Sequence, residues 1–209
     1  MIAIVDFDIG NLAAVANMLQ RVGAACVITG DPHAIERADG LILPGNGAFD
    51  SCMRALRTTG LVPLLERRVL HERVPLLGIC VGAQMLGHGS EEGSENGLGW
   101  MNLSVRRFVD SPGLPVPHMG WNGTRVLNAS HPLTQNLEPD PRFYFVHSYY
   151  LVPADEGDVL LSTDYGIPFA AGVGRDNIAG VQFHPEKSHR FGKQLLGNFA
   201  RQVSCIATG

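Results

Sequence analysis

Apolar positions in this chain fall into short continuous runs, and stretches of helical spacing separate them through the first eighty residues. Residues 2–5 form the first β-rich run, and 6–10 read as a loop. Over 11–22, Leu12, Val15, Ala16 and Leu19 recur at the spacing that places them on one face of a helix. Gly23 then supplies the glycine expected just past a helix C-terminus. Residues 25–29 predict a second strand, and 41–43 a third. A Pro-Gly-rich turn follows at 44–47, a helix at 48–58, another with an early proline at 61–72, and a strand at 75–79.

Continuous apolar strands alternating with helices predict a parallel sheet covered on both faces. The expected fold class is therefore α/β, a flavodoxin-like, mostly parallel sheet flanked by helices. Active sites in such sheets gather at the carboxyl ends of the strands. Three loops fall there: 6–10, 44–47 and 78–82. The second half has shorter β-rich runs at 103–108, 142–146 and 178–183, which read as a meander or edge addition, the antiparallel region of the sheet. Residues 190–203 predict a closing amphipathic helix. With no long linker or internal repeat, residues 1–209 are expected to form a single domain.

Composition narrows the function classes. The 209 residues are 45% hydrophobic and only 17% charged, with a formal net charge of −4. That balance gives no basic footprint for nucleic acid, and the low charge fraction suggests that a partner covers part of the surface. Cys26, Cys52, Cys80 and Cys205 are widely spaced, with no CxxC pair for a disulfide framework or zinc site. Cys26, Cys52 and Cys205 read as packing residues. His88, His118, His131 and His189 show no metal-ligand spacing and read as surface or packing residues. No metal and no cofactor are expected. Met1 leads straight into a strand and no apolar run reaches membrane-spanning length, so a cytoplasmic protein is expected.

The candidate chemistry centres on Gly78-Ile79-Cys80-Val81-Gly82. An apolar run enters this turn and a helix-like segment leaves it, the layout of a nucleophile elbow with cysteine in place of serine. A nucleophilic cysteine needs a base, and the base an orienting group. In Gly180-Val181-Gln182-Phe183-His184-Pro185-Glu186-Lys187, His184 ends a strand, and in extended backbone Glu186 faces the same side. Pro44-Gly45-Asn46-Gly47 is a turn whose backbone amide could serve a developing oxyanion at Asn46. The Val81 N–H, directly after the nucleophile, is the natural second donor.

These segments, with DFDIGNL near the start, SEEG at 90–93, PHMGWN at 117–122 and FYFVHSYY at 143–150, cover nearly the whole chain. Together they resemble the class I (triad) glutamine amidotransferases, and among them the glutaminase-subunit family of imidazole glycerol phosphate synthase in histidine biosynthesis. The resemblance implies that Cys80 attacks the glutamine amide, and that His184 and Glu186 complete the triad. It implies Asn46 and Val81 as oxyanion donors. Gly47, Gln84, Glu92, His147, Ser148 and Tyr149 are implied for the glutamine pocket. It further implies a heterodimer with a (β/α)8-barrel cyclase subunit, contacted through Asn11, Met119, Trp121, Asn122 and Lys187.

The chain departs from the family pattern at Phe7-Asp8, often Tyr-Gly, and at Asn46, often valine. Because asparagine tolerates left-handed backbone better than valine, a readier oxyanion turn and high glutaminase activity without the partner's ligand are expected. Two alternatives stay open: a paralogous subunit feeding ammonia to a sugar-modifying or other synthase, and a cysteine peptidase or esterase.

Overall fold

The computed structural model describes residues 1–207. The chain begins with β1 (Ile2–Val5), α1 (Leu12–Arg21), β2 (Cys26–Thr29), α2 (Pro32–Glu36) and β3 (Gly40–Leu43). It continues through α3 (Phe49–Thr58), α4 (Val62–Glu66), a π turn at Arg67–His71, β4 (Leu76–Ile79) and α5 (Val81–Gln84). The second half supplies β5 (Leu103–Arg107), β6 (His118–Gly123), β7 (Arg125–Val126), β8 (Arg142–His147), β9 (Tyr149–Pro153) and β10 (Val159–Asp164). It closes with β11 (Pro168–Arg175), β12 (Ile178–Val181) and α6 (His189–Ala207).

The main sheet runs β2-β1-β3-β4-β12-β11-β10-β7. Pairings from β2 through β12 are parallel, and those from β12 outward are antiparallel. β1, β3, β4 and β12 are buried at every position, which is why their sequences are unbroken apolar runs rather than alternating ones. β9 joins β11 at Leu151 and carries β5 on its other side.

Two elements differ from the sequence expectation. The run at 178–183 is no edge addition: β12 lies in the interior, parallel to β4, with Ile178 opposite Leu76 and Val181 opposite Ile79. Apolar run length reports burial, not the order in which strands assemble, so the chain's last strand could not be placed from pattern alone. The helix expected over 61–72 is α4 followed by the π turn.

β6 and β8 form a separate antiparallel ribbon, with His118 opposite His147, Met119 opposite Val146 and Trp121 opposite Tyr144. Its inward face carries Phe143, Phe145, His118 and His147, all buried, and its outward face carries Met119 and Trp121. This period-2 division gives the ribbon one side in the core and one in solvent. Among the described residues no helix is long and apolar enough to cross a membrane.

Candidate active site

The parallel register of β4 and β12 sets the site. The Cys80 N–H extends the ladder by donating to the Val181 carbonyl at 2.8 Å, so Cys80 and Gln182 leave the sheet side by side. Cys80 is the N-cap of α5 and holds φ 54°, ψ −113°, a conformation costly for a residue with a side chain. The packing around it enforces that strain. A Cβ on Gly82 would lie 2.0 Å from the Leu43 carbonyl oxygen, and one on Gly45 would lie 2.2 Å from the Gly82 nitrogen. The turn after β3 is thus pressed directly onto the elbow, bringing the 44–47 segment to Cys80.

His184 follows β12 by three residues and is buried. Its Nδ1 meets Glu186 Oε1 at 2.8 Å, and the Glu186 side chain is only 2% exposed. The other ring nitrogen, Nε2, is buried without a hydrogen-bond partner of ordinary geometry. Burial works against charge on this imidazole, but the neighbouring Cys80 sulfur and the Glu186 carboxylate outweigh it and push its pKa up to about 9. A protonated imidazole beside a cysteine sulfur is the arrangement that supports a thiolate nucleophile. With Cys80 3% and His184 5% exposed, the reacting groups are shielded from bulk water.

A buried amide pair abuts the sulfur. Gln182 Nε2 lies 3.9 Å from Cys80 Sγ, while its Oε1 accepts from Gln84 Nε2 at 3.1 Å. Gln84 Nε2 also donates to the Tyr149 carbonyl at 3.2 Å, leaving Gln84 Oε1 buried and without a partner. Gln84 is thus no idle helix residue. The Tyr149 carbonyl also receives His147 Nδ1 at 2.8 Å, and the Ser148 carbonyl accepts from the Phe108 N–H at 3.0 Å. Burial, with His118 and His184 adding to it, holds His147 neutral with a pKa of about 3, against the opposing Tyr149 hydrogen bond.

On the other flank, Glu92 Oε2 accepts from the Phe49 N–H at 2.8 Å. Asp50 in turn accepts from the backbone of Ser94 and Glu95 at 3.1 and 3.0 Å, so α3 and the 90–95 loop hold each other beside the 44–47 turn. Asn46 is exposed, and its Oδ1 accepts from the Gly47 N–H at 3.0 Å. Its carbonyl faces the Cys52 thiol at 3.3 Å, and burial pushes that thiol up to about 11, keeping it a donor. The left-handed φ of this turn, 86°, sits on Gly47 and not on Asn46. Val81 is buried in the first position of α5.

The residues expected at a partner surface separate into two groups. Met119 is 62% and Trp121 40% exposed, so Trp121 is not a core residue. Trp121 stacks on His189 with ring centroids 5.4 Å apart, and Lys187 Nζ lies 5.7 Å above the Tyr144 ring. These side chains share one exposed face. Asn122 turns inward, donating to the Asp164 carbonyl at 2.9 Å and meeting His118 Nε2 at 3.2 Å. Asn11 is exposed at the start of α1, next to Gly10, whose Cβ position would lie 3.2 Å from Pro44. Sequence reasoning missed Gln182, His118 and Ser188. The one available signal was Gln182, a single amide inside an apolar strand.

Comparison with known proteins agrees with this geometry. The family model for class-I glutamine amidotransferases matches residues 3–203. The chain is 51% identical over 203 residues to imidazole glycerol phosphate synthase subunit HisH 2 of Pseudomonas aeruginosa, covering 97% of this chain and 100% of that one. It is 46% identical to the protein of the same name from Methanococcus maripaludis, with the same coverage. Among solved structures, a putative GMP synthase protein from Thermoplasma acidophilum superimposes with a TM-score of 0.73 at 20% identity, covering 99% of this chain and 95% of that one. The glutaminase domain of Trypanosoma brucei CTPS gives 0.65 at 15% identity, covering 96% and 93%. These two show a shared fold. With the family model spanning nearly its full length, this chain belongs to the class-I glutamine amidotransferases.

Proposed function

We propose that this chain, as a single amidotransferase domain in the cytoplasm, is the glutaminase subunit of an imidazole glycerol phosphate synthase. It hydrolyses glutamine and passes the ammonia to a (β/α)8-barrel cyclase subunit in histidine biosynthesis. The observation that carries the chemistry is the His184–Glu186 contact at 2.8 Å beside a strained, buried Cys80. The identity with imidazole glycerol phosphate synthase subunits supports the choice of synthase.

In this reading the Cys80 thiolate attacks the glutamine amide carbon, and the carbonyl π electrons move to oxygen. The Asn46 and Val81 amides receive that oxyanion, each donor of this kind contributing about 3 kcal/mol to the transition state. The His184 imidazolium protonates the amide nitrogen as the C–N bond breaks, ammonia leaves, and a glutamyl thioester remains. Neutral His184 then takes a proton from water, the hydroxide adds to the thioester, and collapse expels the thiolate and glutamate. Glu186 holds the imidazole through Nδ1 throughout. Gly47, His147, Ser148 and Tyr149 line the pocket. The open acceptor of Gln84 and the second oxygen of Glu92 serve the polar groups of the amino acid. Met119, Trp121 and Lys187 face the cyclase, with Asn11 and Asn122 at the margin.

The test is steady-state glutaminase activity of the wild type and of Cys80→Ala, with and without the cyclase subunit. Activity stimulated by the cyclase and abolished in Cys80→Ala is expected. Unchanged activity in Cys80→Ala would refute the mechanism. A glutamine-analogue electrophile is expected to label Cys80 and no other cysteine.

A further inference from the structure

Ser188 stands where the N-cap of α6 falls, since its carbonyl accepts the first helical hydrogen bond, from Gly192, at 3.0 Å. A serine there ordinarily turns its hydroxyl onto the free N–H groups of the helix. This hydroxyl is used elsewhere. It donates to the His184 carbonyl at 2.6 Å and accepts from the Tyr144 N–H at 3.0 Å. The His184 N–H in turn donates to the Tyr144 carbonyl at 2.9 Å. Three hydrogen bonds therefore close a ring through Tyr144, His184 and Ser188, and Ser188 is fully buried within it.

The ring joins two parts of the molecule that the chain sequence keeps apart. On one side is the backbone of the candidate base. On the other is β8, whose Tyr144 side chain meets Trp121 edge-on at 6.2 Å and lies beneath Lys187 on the exposed face of the ribbon. The segment between them has no slack. A Cβ on Gly192 would lie 1.8 Å from the Pro185 carbonyl oxygen, so the first turn of α6 clamps the Pro185–Lys187 turn from behind.

We propose that Ser188 is a positioning residue: a clip that fixes the His184 imidazole against Cys80 and ties it to the outward-facing β6–β8 ribbon. This deepens the amidotransferase reading and rests on it for the identity of the reaction. The clip acts through His184 and touches no substrate. Removing the hydroxyl leaves the Tyr144 N–H and the His184 carbonyl without their shared partner in a buried place, and the backbone carrying the imidazole loses one of its two anchors to β8.

The readout is the rate of Cys80 alkylation by iodoacetamide against pH, measured on the Cys80 peptide by mass spectrometry. The thiolate is the reacting form, so the profile reports how well the imidazolium supports it. The titratable groups around the pair are Glu186 from its own turn, His147 from β8, and Cys52 from α3, itself within reach of Glu92. None of these is altered by a change at Ser188. In Ser188→Ala the midpoint is expected to rise by about one pH unit. The same variant should lose roughly tenfold or more in kcat for glutamine, with KM within about twofold, as expected for an effect confined to the transition state.

A merely structural role would lower the melting temperature and leave the alkylation midpoint of the folded protein where it was. That result, or a wild-type kcat, overturns the proposal. Should Ser188→Ala not accumulate as folded protein, Ser188→Cys decides. Its weaker donor is expected to shift the midpoint upward by a smaller amount, and a wild-type midpoint overturns the clip. Alkylation needs neither glutamine nor a partner. Wild-type protein that leaves glutamine intact would sink the amidotransferase reading while the alkylation series still judged Ser188.

Discussion

His118 and His147 face each other across β6 and β8, and Nδ1 of one lies 3.0 Å from Nε2 of the other. Their outer nitrogens fix the tautomers. Asn122 Nδ2 donates to His118 Nε2, and His147 Nδ1 donates to the Tyr149 carbonyl. Each ring therefore carries its proton on Nδ1, and the pair forms a directed chain from Asn122 inward. Tyr149 shares its carbonyl with Gln84, and Gln84 leads through Gln182 to Cys80. Both rings must be neutral for this chain to exist, since a second proton on either would place two donors face to face.

That requirement makes stability depend on acid. Burial pushes His118 down to about 4 and His147 down to about 3, against an unfolded value of 6.5. Between these values the unfolded chain binds more protons than the folded one, so the contribution is present in full above pH 6.5 and drains away as pH falls toward 4 and 3. The melting temperature is expected to drop over that window. His118→Asn should flatten the slope while costing about 1–3 kcal/mol at pH 7.5, because it orphans a buried nitrogen of His147. Thermal melts of both proteins from pH 7.5 to 4 check this; identical slopes would contradict it.

His184 has the opposite sign. Its folded pKa of about 9 lies above the unfolded 6.5, so its contribution is complete below pH 6.5 and is lost as pH rises through 9. The imidazolium must also deliver the proton to the departing ammonia, so glutaminase activity should fall on the alkaline side near pH 9. Glu186→Gln keeps the shape and removes the charge. It should move that limb toward the ordinary histidine value and lower kcat by roughly 10²- to 10⁴-fold, the range for disarming an orienting carboxylate. A pH–rate profile of the variant decides, and an unmoved alkaline limb would count against the assignment of Glu186.

Much of this site was legible in sequence because its parts are local. The elbow needs Gly78 and Gly82 within two residues of Cys80, and the base and its orienter are two apart in extended backbone. What stayed hidden depends on partners distant in the chain. His118 and His147 meet across 29 positions and Gln84 and Gln182 across 98, distances at which spacing carries no information. Ser188 was hidden differently, since a serine before an amphipathic helix is adequately explained as a cap. The position of β12 was lost because burial on both faces makes every interior strand look alike.

Asn46 supplies a prediction of regulation. Gly47 holds the left-handed backbone of the turn, while the Asn46 side chain ties down the Gly47 N–H and its carbonyl meets Cys52. If the turn rearranges to aim the Asn46 amide at the oxyanion, asparagine can enter the left-handed region more cheaply than a β-branched residue, by roughly 1 kcal/mol. The isolated chain should therefore hydrolyse glutamine above background, and Asn46→Val should lower that rate about fivefold with less effect when the cyclase subunit is present. Steady-state assays of the two proteins alone and with the partner test it. A wild-type rate at background would end the argument.

The outward face of the ribbon makes the most direct prediction about assembly. Met119 and Trp121 leave large apolar surface in water, and Trp121 is braced by its stack on His189 rather than free to fold inward. A rigid, exposed tryptophan beside a methionine and a lysine has the composition of an interface hot spot. Trp121→Ala should weaken binding of the cyclase subunit by about 30-fold, the equivalent of roughly 2 kcal/mol. Met119→Ala should cost less because its side chain is more adaptable. Neither side chain touches the Cys80–His184–Glu186 cluster, so basal hydrolysis by the isolated chain should stay within about twofold. Titration calorimetry against the cyclase subunit, paired with basal assays, separates docking from chemistry. A variant that binds normally would show that the partner sits on another face.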